Sequence, residues 1–166
     1  MQIGFIGLGL MGRPLALHLA RAGHALHLWA RRPASLEPFS GVAATCHGSP
    51  AEVAACADVV FTMVADAPDV VAVALGERGI AAGARAGLVV VDMSTIAPSA
   101  AKEIGAQLEA RDIDFLDAPV SGGEVGAINA TLTIMVGGKP AVFERVRPLF
   151  DHMGKSVTLI GAIGAG

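Results

Sequence analysis

Gly7-Leu8-Gly9-Leu10-Met11-Gly12 follows the apolar run Ile3, Phe5, Ile6 and precedes a helix-like stretch that reaches Ala22. Strand, glycine turn and helix in that order form a seat for a dinucleotide pyrophosphate. The first glycine permits the tight turn, the second lets phosphates approach the backbone, and the third lets helix and strand pack closely. Free N–H groups at the helix start then face the anion. In a chain with 21 glycines the same pattern can be a plain turn. Its place directly after a strand-like run, leading into Met11, Leu15, Leu17, Leu19 and Ala20 as a buried helix face, favours the cofactor reading. The candidate phosphate-side residues are therefore Gly7, Gly9, Leu10, Met11 and Gly12.

Working outward, apolar runs recur at Ile3 to Ile6, Ala25 to Trp29, Val59 to Val64, Leu88 to Val91, Phe115 to Leu116, Leu132 to Val136 and Val157 to Ile160. Helix-compatible stretches separate most of them. Ser49-Pro50-Ala51-Glu52 is a capping box with proline at the first helical position. Pro98 opens a helix to about Ala110, and Pro140 one whose apolar face carries Val142, Phe143, Val146 and Phe150. Strands alternating with helices predict an α/β, Rossmann-type, doubly wound and mostly parallel sheet in three α/β/α layers.

At 166 residues one domain is expected. Hydrophobic residues make up 53% and charged ones 16%, with a mean hydropathy of +0.59. A membrane span would need about 20 apolar residues in a row, and the uncharged stretches here are broken by Gly, Ser, Thr, Asn or Pro. A parallel sheet covered on both faces explains the composition, together with a surface covered by another domain or subunit. A net charge of −3 argues against nucleic acid or anionic membrane as a partner. Cys46 and Cys56 read as buried free thiols in a reducing cytoplasm. No targeting segment is read at the N-terminus. His18, His24, His27, His47 and His152 are scattered without metal-ligand spacing, so no metal is expected.

The second strand ends about 20 residues past the glycines, where an acid would hold the ribose of NAD. Here that place reads Trp29-Ala30-Arg31-Arg32-Pro33, and no Asp or Glu precedes Glu37. Arg31 and Arg32 beside Ala30 suit the 2′-phosphate of NADP; the alternative is a pair of solvated loop charges. NADP(H) is thus favoured, with NAD(H) next. Ligands of such sheets lie outside the carboxyl ends of the strands. Met63 and Val64 then border adenine or ribose, or else simply pack. Ser94 and Thr95 reach the nicotinamide side, or cap the helix beginning at Pro98.

Asp117-Ala118-Pro119-Val120-Ser121-Gly122-Gly123-Glu124-Val125-Gly126-Ala127 is the other unusual segment. It reads as a loop whose consecutive N–H groups and hydroxyl suit a carboxylate. With Gly4 to Gly12, Asp92-Met93-Ser94-Thr95, Pro98 and Gly137-Gly138, it resembles the β-hydroxyacid dehydrogenases over essentially the whole chain. The resemblance implies an NAD(P)-dependent oxidoreductase acting on a small hydroxy acid or its semialdehyde. Ala74 to Ile80, Ile96-Ala97-Pro98 and Ser121 to Glu124 lean toward the 2-hydroxy-3-oxopropionate branch, with the 3-hydroxyisobutyrate branch and a non-catalytic dinucleotide-binding module as alternatives. It further implies that Ser121, Gly122 and Gly123 hold the substrate carboxylate, with Ser94 and Thr95 beside nicotinamide and substrate.

Three departures from the family stand out. Ala30 replaces a common Asn, Ala130 a common Gly, and none of Lys102, Lys139 or Lys155 matches the general-acid lysine. In the family that lysine lies on a helix after a turn resembling Gly161 to Gly166, in an all-helical domain that also makes the oligomer interface. The expectation is that residues 1 to 166 are the dinucleotide-binding domain alone, without a catalytic residue of their own. Such a chain binds cofactor and turns over poorly or not at all, because general acids contribute about 10²- to 10⁴-fold. A short-chain dehydrogenase is excluded, since its catalytic Tyr is absent from a chain with no Tyr.

Overall fold

A computed structural model describes residues 1–166. The elements run β1 (Gln2–Ile6), α1 (Gly12–Arg21), β2 (Ala25–Trp29), a 3-10 turn (Pro33–Phe39), β3 (Ala44–Cys46), α2 (Pro50–Cys56), β4 (Val59–Thr62), α3 (Ala67–Leu75), α4 (Ile80–Gly83) and β5 (Val89–Asp92). They continue as α5 (Pro98–Glu109), β6 (Asp114–Asp117), β7 (Val120–Ser121), α6 (Gly123–Asn129), β8 (Leu132–Gly137), α7 (Pro140–Phe150) and β9 (Gly154–Gly161). Strands β3-β2-β1-β4-β5-β6 are parallel neighbours in that order. This is the Rossmann order, with the direction of winding reversing between β1 and β4. β8 joins antiparallel to β6 and β7, and β9 lies parallel to β8.

Period-two alternation fills both faces of the sheet, as a doubly covered parallel sheet requires. Val59, Phe61, Val89 and Val91 pack toward α1 and α7 with Leu15, Leu19 and Phe150. Val60 and Val90 pack toward α2, α3 and α5 with Val53, Val73 and Ile104. β4 and β5 are buried along their whole length, which accounts for much of the hydropathy. On α1 the buried face is Leu15, Ala16 and Leu19; Leu17 and Ala20 are only half-buried. Large apolar side chains also remain exposed, among them Leu10, Val125 and Ile128. No helix is long and apolar enough to cross a membrane.

The capping box forms with a shift of partner. Ser49 Oγ accepts from Glu52 N–H at 3.2 Å, while Glu52 Oε2 accepts from Gly48 N–H at 2.9 Å rather than from Ser49. The segment read as one glycine loop is divided into β7 and α6. Gly122 and Gly123 make the corner at φ +135° and +63°, and α6 then runs as far as Asn129. Its end explains one departure from the family. Ala130 sits in the left-handed region at φ 56°, and Thr131 N–H donates to Gly126 O at 2.9 Å, the helix ending that favours glycine. Ala130→Gly should raise stability by about 1 kcal/mol and Tm by roughly 2–4 °C, read by thermal unfolding.

The cysteines correct the sequence reading. Both are free but exposed, because β3 is an edge strand and Cys56 closes α2 at the surface. The histidines do too: His27 and His47, separated in sequence, are brought into contact by the parallel pairing of β2 and β3.

Candidate dinucleotide site

Gly7 leaves β1 at φ +96°, and a Cβ there would collide with the Met63 carbonyl. A Cβ on Gly12 would collide with the Gly7 carbonyl, whereas one on Gly9 would meet nothing within 4 Å. The first and third glycines are therefore required by the protein's own packing, and the second faces open space. Helix α1 starts with no side-chain cap and no acid in its first turn. Its leading N–H groups thus keep their affinity for an anion.

This turn forms one wall of a cleft of about 500 Å³. Gly7, Gly9, Leu10, Met11 and Gly12 line it from β1, Ala30, Arg31 and Arg32 from the end of β2, and Met63 and Val64 from the end of β4. The sequence candidates from three separate segments thus share one hollow, at the point where the winding reverses. Trp29, Ser35 and Asp69 line it as well. Sequence reasoning missed Asp69, which lies in the first turn of α3 and accepts from the Arg31 guanidinium at 3.1 Å. Nothing local in the sequence signals a partner so distant along the chain.

Ser94 and Thr95 lie outside that lining. Ser94 is buried, and its Oγ accepts from Val64 N–H at 2.9 Å, which ties the ends of β4 and β5 together. Thr95 is exposed. Neither caps α5, whose N-cap is Ala97 without a side-chain bond. Ser121, Gly122 and Gly123 are exposed at the β7–α6 corner and are not among the residues that line the cleft; the adjoining Glu124 shares a smaller hollow with Leu10, which lines the cleft as well.

A polar row crosses the carboxyl edge of the sheet, since the register places Thr62, Asp92, Asp117 and Gly137 side by side. Thr62 Oγ1 donates to Asp92 Oδ1 at 2.8 Å and Ser94 N–H donates to the same oxygen at 3.1 Å. Asp92 Oδ2 is buried without a partner. Burial pushes the Asp92 carboxyl up to about 6, against these hydrogen bonds and with a further push from Asp117. Asp117 accepts from Gly164 N–H at 2.8 Å and Gly166 N–H at 2.9 Å. The strand ends at Asp92 and Asp117 were readable as strand ends, but not their mutual register.

A Rossmann sheet, an uncapped helix start behind a glycine turn and a cleft at the winding reversal define a dinucleotide-binding domain of a dehydrogenase. The family described as the NAD binding domain of 6-phosphogluconate dehydrogenase matches residues 2–161, and the chain belongs to it. Over 166 residues it is 48% identical to 2-hydroxy-3-oxopropionate reductase of Escherichia coli (strain K12), covering 100% of this chain and 56% of that protein. The structure of Mycobacterium tuberculosis 3-hydroxyisobutyrate dehydrogenase with L-serine superposes with a TM-score of 0.93 at 36% identity, over 99% of this chain and 56% of that one. That of Psf3 in complex with NADP+ and 2-OPP gives a TM-score of 0.92 at 30% identity, over 98% of this chain and 57% of that one. The chain spans about half the length of the curated relatives it matches.

Proposed function

We propose that the cleft holds NADP(H) in preference to NAD(H), with the pyrophosphate at the start of α1 and the ribose 2′-phosphate at Arg31 and Arg32. One observation carries this reading: the uncapped start of α1 and the two arginines after β2 line the same hollow. Their charge matches an anion at both ends of the adenosine half. Asp69 fits the scheme as the group that holds the Arg31 fork in place until a phosphate shares it. Met63 and Val64 supply the apolar side for adenine and ribose. When bound, the nicotinamide supplies or takes up a hydride.

In this reading the protein serves an oxidoreductase that interconverts a small β-hydroxy acid and its semialdehyde, with 2-hydroxy-3-oxopropionate the favoured substrate. The similarity to the E. coli reductase supports that choice. Ser121, Gly122 and Gly123 hold the substrate carboxylate, with Thr95 beside it. Their exposure and the positive φ of both glycines support that role. The general acid is a lysine of an all-helical domain outside residues 1–166, and that domain also pairs the subunits. The two free, exposed thiols suit a cytoplasmic setting.

Titration with NADPH and NADH, in the protein and in Arg31→Ala, tests the cofactor assignment. NADPH should bind at least about tenfold more tightly than NADH, and Arg31→Ala should lose about tenfold toward NADPH alone. Tighter NADH binding, or unchanged NADPH affinity in the variant, refutes the phosphate role.

A further inference from the structure

Away from the cleft, the outer edge of the sheet gathers a second set of coordinating side chains. His27 stands in the middle of β2, opposite Thr45 of β3, and His47 follows two residues later. His27 Nδ1 and His47 Nε2 are 3.0 Å apart, with ring centroids separated by 5.2 Å and planes tilted by 38°. Cys56 closes α2 beside them, and its Sγ lies with one ring nitrogen of each histidine in a group whose members are all within 4.8 Å of one another.

The outer contacts orient His27. Its Nε2 lies 2.7 Å from Gln2 Oε1, an oxygen that only accepts, so Nε2 carries the proton and Nδ1 turns its lone pair toward His47. Gln2 is itself fixed, because its backbone N–H donates to Asp58 Oδ2 at 2.8 Å. Metal-bound imidazoles are usually held in this way through the second nitrogen.

We propose that His27 Nδ1, His47 Nε2 and Cys56 Sγ bind a borderline-soft divalent cation, zinc being the reference case, with water as the fourth ligand. Imidazole and thiolate are the ligand types such ions select. Two nitrogens on one tetrahedral zinc stand about 3.3 Å apart, so the observed pair needs to open by only a few tenths of an ångström. The thiol must swing inward, and exposure at the last residue of α2 leaves it room to do so and gives the ion a way in. Occupancy would clamp β2, the end of β3 and α2 together.

Cobalt(II) serves as the spectroscopic probe and zinc as its competitor. One cobalt per chain should produce thiolate charge-transfer absorption in the near ultraviolet and the visible bands of a four-coordinate ion, both displaced by zinc. Zinc should also raise Tm. Cys56→Ser should abolish the charge-transfer band, and His27→Ala should weaken binding at least about tenfold. Cys46→Ser should change neither, and metal-free Tm values close to wild type will show that the variants fold. No charge-transfer band in the wild-type protein, or a band that survives Cys56→Ser, overturns the site and leaves a histidine pair joined by a simple hydrogen bond. NADPH affinity is expected to be unchanged in Cys56→Ser, so this result is independent of the cleft.

Discussion

Gly7→Ala should lower dinucleotide affinity by about a hundredfold, equivalent to roughly 2.7 kcal/mol, and should destabilise the fold by about 2 kcal/mol or more. The left-handed backbone at φ +96° alone costs an L-residue about 1–2 kcal/mol. The added Cβ would collide with the Met63 carbonyl and lie 3.1 Å from Val64 Cγ1. A backbone oxygen at the end of a buried strand cannot rotate aside, so the ends of β1 and β4 must part. The start of α1 moves with them, and the N–H groups assigned above to the pyrophosphate would lose their aim. Trp29, the single tryptophan, lines the cleft, so quenching of its fluorescence reads the titration directly. Gly9→Ala is the control that separates fold from site. Its Cβ meets nothing within 4 Å, so the unfolding midpoint should hold while binding weakens. Wild-type affinity in Gly7→Ala would sink the assignment of this turn.

The second large effect is a pH dependence at Asp92. Its carboxyl is raised to about 6 in the folded protein, with burial the main cause, against about 3.9 in an unfolded chain. The protonated form therefore favours folding. Stability from this group is fully present below about pH 4 and is lost as pH rises through about 6. The span amounts to about 3 kcal/mol, the order set by 1.36 kcal/mol for each pKa unit. Asp92→Asn keeps an acceptor for Thr62 and Ser94 and removes the charge. The variant's stability relative to wild type should accordingly increase between pH 4 and pH 7, measured by urea unfolding across that range. A difference that does not vary with pH would show that Asp92 stays ionised throughout. Since Oδ2 has no partner, the new amide N–H groups would lack one too, which lowers the variant's stability by a similar amount at every pH and leaves the slope intact.

Legibility in the sequence followed the size and burial of each element. β2 was readable at Ala25–Trp29 and the first turn at Gly7 to Gly12, because an apolar run meets a residue type with a strict steric role. β3 and β7 escaped: three and two residues long, they lie at the sheet's margins and carry no apolar alternation. α6 escaped because Gly123 and Gly126 argue against a helix. Tertiary contacts support it instead, with His18 Nε2 2.9 Å from Ala127 O. The cysteines were misread for a related reason: an alanine-rich setting suggested burial, but an edge strand and a helix end leave one side to solvent. In the site, residues near the glycine turn and the strand ends were readable from local order. Asp69 beside Arg31, the buried pairing of Asp92 with Thr62, and the meeting of His27 with His47 depend on which strands become neighbours. No local pattern carries that information.

The Asp117 carboxylate has a mechanical consequence. It ends β6 and opens the segment that leads to the Ser121–Gly123 corner, and it also grips the backbone at Gly164 and Gly166. One side chain thus sets both where the Ser121–Gly123 corner departs and the heading of the backbone as it reaches Gly166. Two parts of the protein more than forty residues apart share a single pivot. Loss of the Asp117 carboxylate would release both at once.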